Sequence, residues 1–262
     1  MLEVRNLAVE YKKGKPVVNA VNLTLHKKEK VMLLGPNGSG KTTLMRAILG
    51  LVKYNGDIKI DGKSLERLRC ELCVATNLDE VYYLLALNVK ELTSLYMDLK
   101  GCDVKYCIEL MEDFGLKDTF GKKLWQLSSG QKRLITNVLA LASRPKMLLM
   151  DEVFEGVDPA RKLTLANLFN QFGGSMLITT HELSMLKYFH HWGLYFMFEG
   201  KLFGKVNPSS KILDAGIVRG EDPNAILKVE AAGKVVSIVP KAGRPLREFV
   251  DLNMLYEELI IQ

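Results

Sequence analysis

Long apolar runs are missing from this chain. No stretch approaches the roughly 18 apolar residues that a membrane-crossing helix needs, so no transmembrane segment is expected. The first residues, MLEVRNLAVEY, lack the apolar core of a signal peptide and begin at once as an alternating strand. Both absences point to the cytoplasm. There is also no run of five basic residues, and nucleic acid is not expected as a partner. The small clusters YKKGK (11–15) and HKKEK (26–30) read as solvated loop charges. Cysteine is scarce: Cys70, Cys73, Cys102 and Cys107. Cys70 and Cys73 have the C-x-x-C spacing of a metal or redox site. However, Cys73 falls in ELCVA, a buried-strand pattern, and the other two are spaced more loosely. Reduced, mostly buried thiols are expected. Tryptophan is rarer still, with two residues, and no repeat or low-complexity segment occurs.

What is present is ordinary globular material. The 262 residues are 48% hydrophobic and 25% charged, enough for one large or two modest domains. The net charge of +6 permits binding to nucleic acid, lipid headgroups or nucleotide phosphates. LEVRNLAVEY (2–11) and PVVNAVNLTLH (16–26) alternate as strands, VMLLG (31–35) is a buried strand, and TTLMRAILG (42–50) reads as a helix. DIKIDGK (57–63) is a further strand with an Asp-Gly turn. Residues 77–126 carry helix-like patterns, VYYLLAL, ELTSLYMDL and CIELMEDFGL, which predict a helical insertion. Strand patterns return at MLLMD (147–151) and SMLITT (175–180), then a hairpin over 193–206 turning at Glu199-Gly200. After the linker-like NPSS, a strand at 234–240 and an amphipathic helix at 246–260 predict a small tail domain over 207–262.

Three segments carry chemistry. GPNGSGKT (35–42) fits G-x-x-x-x-G-K-[ST] between a strand and a helix. Its glycines let backbone N–H groups curl around phosphate oxygens, and the helix start adds partial positive charge. Lys41 reaches the β and γ phosphates and Thr42 can ligate Mg²⁺. MLLMDE (147–152) delivers Asp151 and Glu152 to the end of a buried strand, where open α/β sheets bind ligands. Adjacent strand residues point opposite ways, so Asp151 can hold Mg²⁺ through water while Glu152 orients or deprotonates the attacking water. His181 follows the apolar MLITT and reads either as a structural histidine or as a γ-phosphate contact. The third segment, LSSGQ (127–131), opens a helical pattern with small residues suited to a helix N-terminus, an anion site whose own chain need not fill it.

In this order the motifs resemble the ATP-binding cassette (ABC) family over about 1–206. GPNGSGKT is similar to its Walker A, MLLMDE to its Walker B, and LSSGQ to its signature. GVDPA (156–160) resembles the D-loop with Asp158, and His181 the switch histidine. Tyr11 resembles the aromatic that stacks on adenine. The resemblance implies an α/β fold with a P-loop NTPase core. It also implies an N-terminal antiparallel β subdomain, a helical subdomain over about 77–138 and a small α+β tail. It implies an ATPase using ATP and Mg²⁺, with Lys41, Glu152 and His181 catalytic. ATP would lie against Tyr11, Gly35, Pro36, Asn37, Gly38, Ser39, Gly40, Lys41, Thr42 and Thr43. In that family two cassettes face head to tail, so Ser128, Ser129, Gly130 and Gln131 would act on the partner chain's ATP.

With one motif set the chain would pair with a second cassette, identical or not. It would power transport through multi-span membrane subunits, lying peripherally on the inner face of the cell membrane. A groove near 77–87 would receive the partner's cytoplasmic helix. A soluble cassette driving macromolecular assembly is the alternative. Three departures stand out. No Q-loop glutamine matches, and Asn77, the best counterpart, would join Thr42 and Asp151 at the metal. Phe154-Glu155 replace small hydroxyl residues, and Ser129 replaces a glycine. The tail helix, PLREFVDLNMLYEEL, resembles the C-terminal region of exporter-type ATPases.

Overall fold

The structure, a computed structural model, describes residues 1–65, 73–83, 86–208, 210–231, 233–249 and 251–261. In chain order its first elements are β1 (Leu2–Lys12), β2 (Lys15–Leu25), β3 (Lys30–Leu34), α1 (Lys41–Ile48), β4 (Asn55–Ile60), β5 (Lys63–Ser64) and β6 (Val74–Thr76). Then come α2 (Val89–Lys100), α3 (Val104–Asp113), α4 (Ser129–Ala142), β7 (Met147–Met150), α5 (Pro159–Gln171) and β8 (Ser175–Thr180). The chain ends with β9 (Gly193–Phe198), β10 (Lys201–Val206), α6 (Ser210–Leu213), β11 (Ala215–Arg219), β12 (Leu227–Ala231), β13 (Lys234–Pro240), β14 (Arg244–Pro245) and α7 (Leu252–Ile261). Two compact units form: Met1–Arg69 with Thr179–Gln262, and Cys70–Ile178.

In the first unit β1 pairs antiparallel with both β2 and β4, giving the sheet order β2-β1-β4-β5. Alternation turns Leu2 and Val4 inward, and after an irregularity at Asn6, with φ 47°, it turns Leu7 and Val9 inward on the opposite parity. β3 runs parallel to β9, Val31 opposite Gly193 and Leu34 opposite Phe196. All of β9 is buried, as expected of a parallel-sheet strand covered on both faces. β9 and β10 form the expected hairpin. Its turn, Glu199-Gly200, has φ of 48° and 79°, the pair of positive angles that a two-residue hairpin loop favours. The tail builds its own antiparallel sheet, β12-β13-β11-β14. Val229, Ile238, Leu246 and Leu255 from the tail close over Phe196 and Phe198 of β9.

In the second unit β6, β7 and the first part of β8 run parallel, with Val74 opposite Met147 and Met147 opposite Ser175. α2 starts on a capping box in which Asn88 and Glu91 satisfy each other's backbone N–H, and ends at Gly101 in the left-handed region. Asp103 caps α3 through the N–H of Lys105. VYYLLAL departs from its helix-like pattern. Asp79–Val81 form one 3-10 turn, and Tyr82 is buried with its hydroxyl donating to the Thr76 carbonyl. That bond folds the segment back on β6, so regular helix starts only after the Asn88 cap. Residues 84–85 of this pattern, and Cys70 of the C-x-x-C pair, lie outside the described residues. Cys107 is buried, and burial pushes its thiol up to about 12, which leaves it protonated and a poor metal ligand or nucleophile.

Candidate functional site

The phosphate loop lies in the first unit between β3 and α1. Gly38 and Gly40 hold φ of 78° and 106°, angles that side chains other than glycine's rarely adopt. A Cβ at Gly35 would stand 2.5 Å from the Met197 carbonyl oxygen and 2.6 Å from Ser39 Oγ, so this turn needs a bare backbone. Lys41 is buried, and its Nζ donates to the carbonyls of Gly35 at 2.7 Å and Pro36 at 2.9 Å. Ser39 Oγ is buried with no hydrogen-bond partner among the described residues. Such orphans are rare, and this hydroxyl suits a ligand with many acceptor oxygens. A glycine cradle, an inward ammonium and an unpaired hydroxyl together fit a polyphosphate. Gly35 N–H also donates to the Thr180 carbonyl at 3.3 Å, which brings the loop beside the residue preceding His181. Tyr11, at the end of β1, is 57% exposed and so has a bare ring face.

The second unit holds the carboxylates and the LSSGQ segment. Asp151 and Glu152 follow β7 directly and are both buried. Glu152 has φ 41°, in the left-handed region, a strain of order 1–3 kcal/mol of the kind that clusters at functional sites. A polar scaffold lies behind Asp151. Asn77 is fully buried, its Nδ2 donating to the Asp151 carbonyl and to Asn137 Oδ1, each at 2.8 Å. The Asp151 N–H donates back to Asn77 Oδ1 at 2.7 Å, and Asn137 Nδ2 donates to the Val153 carbonyl at 2.9 Å. Against the expectation that Asn77 joins the metal stands the engagement of both ends of its carboxamide with protein groups. Its carboxamide is committed to protein backbone and extends the β6–β7 ladder past Thr76. Hydroxyl and carboxylate oxygens such as those of Thr42 and Asp151 suit Mg²⁺, and the Asn77 amide is engaged elsewhere.

Two residues that sequence reasoning passed over belong to this scaffold: Asn137 and Arg133, both on α4. Arg133 Nη1 donates to the Asp151 carbonyl at 3.1 Å, and Nη2 lies 3.5 Å from Glu155 Oε2. The negative charge of Glu155 thus has a cation beside it. Its neighbour Phe154 is buried, 6.2 Å from the Phe169 ring of α5. The signal available in the sequence was spacing: Arg133 and Asn137 are one helical turn apart and share a face of α4.

α4 begins where LSSGQ predicts. Ser128 is the cap, accepting from Gln131 N–H at 3.2 Å, while Gln131 Oε1 accepts from Ser128 N–H at 3.1 Å. Gly130 is pressed on the carbonyl of Gly156 so closely that a Cβ would collide with it. Ser129 Oγ lies beside Gly156 as well, 3.3 Å from where a Cβ there would stand. LSSGQ and GVDPA are therefore one surface, with Ser128, Ser129 and Asp158 exposed. Asp158 caps α5, and the Arg161 N–H bonded to its carboxylate, with the Arg161 charge, holds it below the usual carboxylate range. Trp125, just ahead of LSSGQ, is 52% exposed with Lys123 Nζ 5.0 Å from its ring. The other tryptophan, Trp192, is buried in the first unit against Phe189.

Known proteins resemble this chain in sequence and in fold. A family model described as ABC transporter matches residues 18–155. The taurine import ATP-binding protein TauB of Escherichia coli O157:H7 is 33% identical over 192 residues, covering 70% of this chain and 74% of that protein. A crystal structure described as that of a cobalt transport ATP-binding protein is 36% identical over the whole of both chains, with a TM-score of 0.91. The dimeric structure of a bacterial ABC transporter cassette is 22% identical and shares the fold, with a TM-score of 0.68 over 79% of this chain and 98% of that one.

Proposed function

From the premise that this chain belongs to the ABC transporter family, and is an ATP-binding and ATP-hydrolysing subunit that powers transport, we propose how its residues divide the work. The loop Gly35–Thr43 holds the phosphates of ATP, Lys41 pairs with the β and γ phosphates, and Tyr11 stacks on adenine. The buried unpaired hydroxyl of Ser39 inside a glycine cradle is the observation that carries this reading. Thr42 would ligate Mg²⁺ and Asp151 would hold it through water, and the ion would neutralise phosphate charge when bound. Glu152 takes the proton of the attacking water and His181 contacts the γ-phosphate. Ser128, Ser129, Gly130 and Gln131, with Asp158, serve the ATP of a second cassette, identical or related. The exposure of Ser128, Ser129 and Asp158 on one surface supports that role.

The cassette lies on the cytoplasmic face of the membrane and drives multi-span partner subunits. No helix among the described residues is long and apolar enough to cross a membrane. An open groove lined by Leu87 and by Lys90, Glu91, Ser94 and Leu95 of α2 is the surface for a partner's cytoplasmic helix. Relatives named for taurine and for cobalt both resemble this chain, which supports reading of the cargo by the membrane subunits. The import named for the taurine relative supports uptake over the export that the tail helix suggests. Residues 207–262 form the tail domain and 77–138 the helical subdomain.

Glu152→Gln should bind MgATP, dimerise on it and hydrolyse it about 10²–10⁴-fold more slowly, the usual worth of a general base. Turnover equal to the parent's removes Glu152 from that role. Purified from native membranes, the chain should bring down a multi-span protein; recovery with soluble partners alone rejects the transport assembly.

A further inference from the structure

The tail touches the phosphate loop. The N–H of Asn37, at the exposed apex of GPNGSGKT, donates to Asn253 Oδ1 at 2.7 Å across 216 residues of sequence. One residue earlier, Leu252 N–H donates to the His181 carbonyl at 2.9 Å. These two residues open α7, and Asp251 caps the helix by accepting from Met254 N–H at 2.9 Å. The first N–H groups of a helix have no partner inside it, and Leu252 spends its own on the segment that follows β8. One helical turn therefore holds both the loop apex and the histidine segment of this unit.

The helix is itself well seated. Leu252 and Leu255 line the apolar seam with Phe198, and the Tyr256 hydroxyl donates to Glu199 Oε1 at 2.7 Å. The Glu199-Gly200 turn bears on the loop too, because Gly200 N–H donates to the Ser39 carbonyl at 2.9 Å. The loop meets α7 directly at Asn37 and through this turn at Ser39.

We propose that Asn253 is a positioning residue of the ATP site, acting through the Asn37 amide to hold the phosphate loop ready for the phosphates. This rests on the reading of GPNGSGKT as the ATP phosphate loop. Glycines at 38 and 40 leave the loop little stiffness of its own, so its order comes from what ties it down. An acceptor already fixed on a helix lowers the ordering cost that ATP binding must meet. Losing one neutral hydrogen bond corresponds to about a three- to tenfold loss of affinity.

The test uses the full chain, with MgATP as ligand. Asn253→Leu should raise KM for ATP about three- to tenfold and keep kcat within about twofold, the KM–kcat split expected of lost ground-state binding. Amide exchange at Asn37 should become faster. Asn253→Asp, which keeps an acceptor oxygen, should keep that amide slow, and Met254→Ala, on the same turn, should match the parent throughout. Asn253→Ala repeats the measurement if leucine disturbs the helix. An unchanged KM overturns the proposal, and a lowered KM does so too, because the carboxamide would then compete with phosphate. A parent that fails to bind MgATP overturns the reading of the loop and this proposal together; a parent that binds while Asn253→Leu behaves identically overturns this proposal alone.

Discussion

Asn77 and Asn137 share one fully buried amide contact, with the backbone of Asp151 and Val153 as their remaining partners. A buried amide network is worth keeping only when complete, because each orphaned group carries its full desolvation cost. Asn137→Ala strips the Val153 carbonyl and one Asn77 proton of their partners, and should lower unfolding free energy by about 1–3 kcal/mol in chemical denaturation. Asn77→Gln adds a methylene at a fully buried position, and should cost about 1–3 kcal/mol, seen as a lower Tm; a glutamine variant as stable as the parent would show room at this site. GPNGSGKT was readable because its residues are contiguous and their spacing is itself the mechanism. Asn77 could be picked out in the sequence, but its contact with Asn137 could not. Its partner lies sixty residues away on a helix face, where no short motif announces it.

At the scale of elements, the α4 start was legible, the α5 start went unread though its signals are there, and the tail helix expected from 246 begins only at Leu252. Ser128 with Gln131 is a capping box in plain sequence, and Asp158 before Pro159 is a cap followed by the residue best suited to a first turn. Asp158 also makes the α5 start sensitive to acid. Its carboxylate sits below the usual range when folded, so its stabilisation is present above the unfolded pKa and is lost as pH falls through the folded value. Asp158→Ala should destabilise by about 1 kcal/mol near neutral pH, and its denaturation midpoint should converge on the parent's below that range. A constant difference down to the lowest pH would assign the effect to packing. VYYLLAL was the illegible element. Its apolar spacing suits a helix, but the Tyr82–Thr76 bond and the Asn88 cap decide the local path, and only one of those two is local in sequence.

For the whole molecule, the β9–β10 hairpin of the first unit could be read in advance, as could the strand at 234–240 in the tail. The tail's seating could not: Asn37 to Asn253 and Glu199 to Tyr256 are single bonds between distant residues of ordinary type. The Tyr256 phenol is pushed up to about 12, first by its hydrogen bond to Glu199 and also by burial and the Glu199 charge. Its contribution to tail docking is therefore complete below the unfolded value near 10 and is lost as pH rises through about 12. A phenolate absorbance titration should lose one group near that upper value in Tyr256→Phe, and Glu199→Gln should move that group down.

The scarcity of tryptophan has an optical consequence. One indole is enclosed and the other, a few residues ahead of the signature serines, is half exposed, so the two should emit at different wavelengths. Acrylamide should quench the redder emission of Trp125 and spare Trp192. If a second cassette closes over Ser128, MgATP added to Glu152→Gln should shift that emission to the blue and shield it from the quencher. Trp125→Phe should abolish the change, which makes closure of the dimer measurable without a label.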